Sequence, residues 1–208
     1  MNLSRLLLFD ASLIIVGIAL LFILLRKIDT RQLLGNSDRY KKPEQPSTIP
    51  TSLNELLKLE ALAKKQGSGI DPDSLIGLWK FVSVWNQGKD SESTTFSSLL
   101  RLFSAGLEII KCKSNGELLS FDIINSIQFG FFIIRFVGSG ELKGAQPLLC
   151  FYFEHIELKA GHSVLFKRVL EVPEKKNRPF FAFIGIGENG QWLAARGRGG
   201  GLALWMKN

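Results

Sequence analysis

From Leu107 onward the chain never runs far without turn residues, and this spacing constrains the fold more than any other feature. Leu107 to Lys113 and Glu117 to Ile124 flank Ser114-Asn115-Gly116, which carries an Asn-Gly hairpin signal. Ile127 to Val137, Leu148 to Leu158, Val164 to Val172, Phe180 to Ile186, Gln191 to Ala195 and Leu202 to Met206 also read as strands. The links are Gly138-Ser139-Gly140 with Gly144, Ala160 to Ser163, Pro173 to Pro179, Gly187 to Gly190, and Arg196 to Gly201. Upstream, Asp71-Pro72-Asp73 is a turn, because Pro72 fixes its own φ and steers Asp71 away from helix. The β-rich run Leu75 to Trp85 follows it. Eight or nine short strands joined by turns predict an antiparallel barrel, since closure removes exposed edges. A barrel of about eight strands is just wide enough to be filled or to hold one small ligand. The 16 Phe and 20 Gly fit either a well-filled β core or a lipophilic cavity.

The N-terminal part obeys a different rule. Leu6 to Leu25 is a 20-residue apolar run with Asp10 as its one charge. At about 1.5 Å per residue it spans a hydrocarbon core of roughly 30 Å. Arg26-Lys27-Ile28-Asp29 follows it with no small-residue cleavage site, so a transmembrane helix fits better than a signal peptide. Arg26, Lys27, Arg31, Arg39, Lys41 and Lys42 lie after the run and only Arg5 before it, which places the C-terminal domain on the cytoplasmic or stromal side. The organisation expected is an anchor over 1–35, a Pro-rich linker over 36–52 and a domain over 53–208. The net charge of +7 calls for an anionic partner, and the basic flank assigns it to acidic lipid headgroups without nucleic acid. Ser52 and Glu55 have capping-box spacing, and a short amphipathic helix from Leu53 to Gly67 either packs on the domain, which its narrow apolar stripe favours, or lies on the membrane surface.

Motifs for catalysis are lacking. Gly185 to Gly190 matches GxGxxG, but no helix follows it and no acidic residue stands about 20 positions on. His155 and His162 form no metal motif, so neither a metal nor a cofactor is expected. Cys112 and Cys150 read as small buried hydrophobes, with a disulfide left open.

A lipophilic ligand is the partner that the apolar pattern suggests. Phe96, Leu100 and Phe103 lie on one stripe of a helix over Thr94 to Leu107, which either covers the barrel mouth or packs outside it. By alternation Phe129, Phe131, Ile133 and Arg135 share one face, giving an apolar body with a polar end. Arg135 and Arg168 sit in apolar strands, either snorkelling outward or waiting in the lumen for a ligand carboxylate or carbonyl.

Two motifs bring a family into view. The opening Leu75-Ile76-Gly77-Leu78-Trp79-Lys80-Phe81 and the closing Leu193-Ala194-Ala195-Arg196-Gly197-Arg198-Gly199-Gly200-Gly201-Leu202-Ala203-Leu204-Trp205 resemble the first and last strands of the plastid lipid-associated proteins, the fibrillins. Phe153 to Leu158 is similar to a middle strand of that family. The resemblance implies a lipocalin-like, calycin-type barrel associated with thylakoid or plastoglobule lipid. It implies a non-catalytic protein that binds or organises a prenylquinone, carotenoid, acyl lipid or tetrapyrrole at a photosynthetic membrane, as in plastids or cyanobacteria. The alternative is a filled barrel that scaffolds a membrane complex. Lipocalins pair a Gly-x-Trp with an arginine of the closing strand, parts that Gly77, Trp79 and Arg196-Gly197 would take here. The sequence departs from the family at Ala194, where an arginine is usual, and in its apolar N-terminal run.

Overall fold

The computed structural model describes residues 47–86, 91–111, 119–144 and 147–208. The expected membrane anchor, most of the linker and Cys112 lie outside them. Among the described residues no helix is long and apolar enough to cross a membrane.

The first element among the described residues is α1 (Leu53–Gln66), whose Ser52 hydroxyl accepts from the Glu55 amide while the Glu55 carboxylate accepts from the Ser52 amide. A 3-10 turn at Pro72–Leu75 leads into β1 (Gly77–Trp85), then α2 (Thr94–Leu102) and β2 (Gly106–Lys111). β3 (Leu119–Phe129), β4 (Phe132–Lys143), β5 (Leu148–Ala160) and β6 (Ser163–Val169) follow. β7 (Phe180–Ile186), β8 (Trp192–Gly197) and β9 (Leu202–Lys207) complete the chain. Every pairing is antiparallel. Neighbours pair in chain order, β5 skips to β7, and β9 returns to β1, so eight strands close a barrel and β6 stays outside the circuit.

Three places differ from the sequence reading. Ile127 to Val137 is not one strand: Gly130, at φ 58°, reverses the chain and splits it between β3 and β4. Gly138-Ser139-Gly140 is not a loop but the middle of β4. Gly138 and Gly140 point inward opposite Phe153 and Phe151; the missing side chain at Gly138 admits the β5 backbone at Tyr152 and Phe153, and that at Gly140 admits the side chains of Leu149, Ile123 and Phe151. Finally β6, expected as a wall strand, pairs only with the second half of β5. Leu148 to Cys150 of β5 pair with β7, whereas His155 to Ala160 pair with β6. Between the two lies a bulge, with Gly138 opposite Phe153 and Val137 opposite His155. A bulge bends a strand and strengthens its twist. Beyond it the ends of β3, β4, β5 and β6 form a four-stranded arm on the barrel wall.

The core has two layers. Inside, Trp79, Phe121, Phe151, Phe183 and Leu193 are fully buried with Trp205, Phe136 and Phe153 close behind. Outside, Leu56 and Ala63 of α1 cover Trp85, Ile184, Trp192, Ala194, Leu202 and Leu204. The helix is therefore packed on the domain, as its narrow apolar stripe suggests.

The bulge gives a direct test. A Cβ at Gly138 would lie 1.9 Å from the Tyr152 carbonyl oxygen, so Gly138→Ala should cost about 3 kcal/mol or more in urea unfolding. Gly161 lies at the outer turn of the arm, at φ 57° with nothing near its added Cβ, and Gly161→Ala should cost only about 1 kcal/mol.

Candidate functional site

Each inward position follows from alternation, and together they fill the barrel with rings. Phe136 meets Phe153 at 5.5 Å, Phe153 meets Phe151 at 5.5 Å, and Phe151 stacks on Phe181 at 5.1 Å. Phe181 then meets Trp205 at 5.4 Å and Trp205 meets Phe81 at 6.4 Å. Offset and edge-on pairs of this kind add about 0.5–1.5 kcal/mol each beyond their burial. At the α2 end of this ladder a cavity of about 60 Å³ remains, lined among others by Leu100, Asn125, Ile127, Phe136 and Trp205. A drug-sized ligand takes roughly 300 Å³ or more.

α2 stands at this end of the barrel and is held there as a plug. Leu100 is buried in the inner cluster and Phe96 packs against its edge. The Ser97 hydroxyl accepts from the Val84 amide at 3.0 Å, and Arg101 donates to the Val82 carbonyl at 2.6 Å. Of the two placements open in the sequence, the structure has the helix at the mouth. Phe103, just after the helix, touches the Phe129 ring at 5.8 Å.

The other expected ligand residues do not line the interior. Phe129 pairs with Phe132 across the Gly130 turn, so it lies on the face opposite Ile133 and Arg135 rather than with them. Phe131 is in the turn itself, 66% exposed, and contacts Phe132 at 4.0 Å. Ile133 is half-buried on the arm. Arg135 lies opposite Glu157, 3.6 Å from its carboxylate, on the arm's polar face. Arg168 is exposed on β6, which is not a barrel strand, so it has no lumen to face. For Phe129 to Arg135 sequence alternation failed because Gly130, inside an apolar run, turned the chain and shifted the register of the residues that follow in β4.

Gly77, Trp79, Arg196 and Gly197 are placed by the two ends of the barrel circuit. The Trp79 indole donates to the Leu75 carbonyl at 2.7 Å, plugging the end where β1 begins. The cation on its ring is Lys207 of β9, 5.1 Å away, and not the expected Arg196. Gly77 sits at φ 136°, and a Cβ there would lie 3.0 Å from the Lys207 stem, so the glycine admits this lysine. Arg196 follows the inward Ala195 and so points outward. It donates to both carboxylate oxygens of Glu60 on α1 and to the Gly200 carbonyl. Gly197 opens the turn, its amide donating to the Gly201 carbonyl at 2.9 Å.

The titratable groups that stand out are structural. Burial is the largest influence on Glu60 and would raise its pKa, but Arg196 and Lys64 together outweigh it and hold the carboxyl low. Glu157 is treated alike: burial raises it, and hydrogen bonds and charge from Lys167 and His155 bring it below its ordinary value. Burial pushes the half-buried Cys150 thiol up, against thiolate chemistry. Gly187 to Gly190 is the β7–β8 turn, with the Gly190 amide donating to the Gly187 carbonyl at 2.7 Å. Among the described residues no three His, Cys, Asp or Glu side chains are grouped to hold a metal.

No protein-family model, curated protein or solved structure matches the chain. The resemblance to the fibrillins thus rests on its short motifs.

Two measurements follow. Leu100→Ala should enlarge the cavity and cost about 2–5 kcal/mol of stability by urea titration. Glu60 and Glu157 have lowered folded-state pKa values, so their contribution is full above the ordinary carboxylate value, about 4.3. It is lost as pH falls through the lower folded-state values. Unfolding monitored between neutral and acid pH should show this loss, and Glu60→Gln should flatten it while lowering stability at pH 7.

Proposed function

We propose that the protein is a membrane-anchored, non-catalytic assembly module that works with its outer surface, its barrel being a rigid frame. The observation that carries this is the ring ladder: the places where a lumen ligand would lie are occupied by Phe81, Phe151, Phe153, Phe181 and Trp205. The anchor is the apolar run Leu6 to Leu25 with its basic flank.

A lipid-binding reading deserves its own test, because an up-and-down circuit of eight strands is the order of a lipocalin-like barrel. In its favour is the apolar cavity under Leu100. That cavity, about 60 Å³, would have to grow several-fold to take a prenylquinone, carotenoid, acyl chain or tetrapyrrole. Growth would require α2 to leave the mouth and break its bonds to Val82 and Val84.

Organic-solvent extraction of the protein purified from its native membrane separates the two readings. The frame reading expects no lipophile in stoichiometric amount. Recovery of one lipophile per chain, retained through purification and lost on Leu100→Asp, would reject it in favour of the ligand-binding reading.

A further inference from the structure

The free end of the arm has a build that the barrel does not require. Two turns lie side by side there, Gly130-Phe131 and Gly161-His162, joined by the Gly161 amide donating to the Phe131 carbonyl at 3.1 Å. Around them Phe129 and Phe131 are 54% and 66% exposed, and Leu165 and Phe166 are 57% and 53% exposed. Val164, Leu165 and Phe166 are consecutive and all exposed, so both faces of β6 are apolar. No acidic residue stands between Ile127 and Ile134 or between Lys159 and Phe166. Lys159 lies at the tip itself, opposite Ile133 and Val164, and further up the arm stand Arg135, Lys167 and Arg168 against the single carboxylate of Glu157. Glu157 is already engaged by Arg135, His155 and Lys167, while Lys159 and Arg168 have no ion-pair partner among the described residues.

We propose that this tip inserts into the interfacial layer of an anionic lipid bilayer, giving the domain a second membrane contact besides its N-terminal run. Depth and charge agree. Interfacial segments sink about 5–10 Å. Phe166 stands three residues from the turn residue Ser163, roughly 10 Å along the strand, and Lys167 and Arg168 follow at roughly 13–17 Å. With the rings immersed, the cations reach phosphate level, and their aliphatic stems let them snorkel there. Other occupants fit less well. A protein partner docked on the sheet would cover one face of the arm, and both are apolar at the tip. A second copy paired along β6 would bring two sets of Lys167 and Arg168 together in one sheet. This proposal concerns the outside of the domain and stands whether or not the barrel holds a ligand.

The test uses the full chain carrying Phe131→Trp. All four native tryptophans, Trp79, Trp85, Trp192 and Trp205, are buried, so the introduced indole is the one that lipid can reach. The chain is reconstituted into vesicles of acyl-brominated phosphatidylcholine, with and without phosphatidylglycerol. The expected result is quenching and a blue shift of the introduced indole, stronger with phosphatidylglycerol. Neutralising Lys159, Lys167 and Arg168 to Gln should lower the docked fraction by about fivefold per cation. An indole open to aqueous iodide and unquenched by either lipid overturns the proposal. So does one shielded from iodide but unquenched, which would mean that protein covers the tip. Equal quenching in both lipids would overturn the anionic requirement and with it the proposal.

Discussion

The domain depends on β4 carrying no side chain where β5 comes closest to it. Gly138 and Gly140 face the interior opposite Phe153 and Phe151, and a Cβ at Gly140 would already be within 3.1 Å of the Phe151 side chain. The two strands therefore interlock, with bulk on one and space on the other, as close-packed interiors require. From Phe151 and Phe153 the ring contacts pass to Phe136 on one side and to Phe181 and Trp205 on the other. The arm departs from the wall at the β4–β5 bulge, where the β5 backbone comes too close to Gly138 for a side chain.

The outer layer solves a separate problem. Once the barrel is filled, β7, β8 and β9 still carry an apolar outer face, and α1 covers it. The clasp is Arg196 on Glu60, with Lys64 3.0 Å from the same carboxylate. A buried ion pair contributes little against an apolar alternative but costs much to break from one side. It therefore fixes where α1 lies more than it adds to stability. This also explains why Arg196 has left Trp79 to Lys207.

Strand count, antiparallel pairing, both helices and the capping box were legible in the sequence because each depends on local periodicity or turn chemistry. The boundaries that failed depended on tertiary context. Gly130 is one glycine in an unbroken apolar run, and the residues on either side read as strand whether or not the chain reverses there. Gly138 and Gly140 carry the residue type of a loop, and only their pairing with β5 makes them a strand. β6 reads in the sequence as a further wall strand, yet the β5–β7 pairing excludes it from the circuit. The candidate ligand residues divided for the same reason: Phe96 and Leu100 kept their helical spacing, Phe129, Phe131, Ile133 and Arg135 depended on a register that the Gly130 turn changed, and Arg168 lies on the strand that the circuit leaves out.

The circuit also orders events in time. Most pairings join neighbours in sequence, but closure joins β1 to β9, from Trp85 with Leu202 to Trp79 with Lys207. Such a contact must overcome the loop entropy of the whole intervening chain and forms late. Until β9 arrives, the Phe-lined surface curls without a seam and two strand edges stand open to any neighbouring chain. A nascent copy would then be most prone to aggregate during that interval. The interval ends in one step, because β9 seals both edges, carries Trp205 into the ring ladder and lays Lys207 over Trp79.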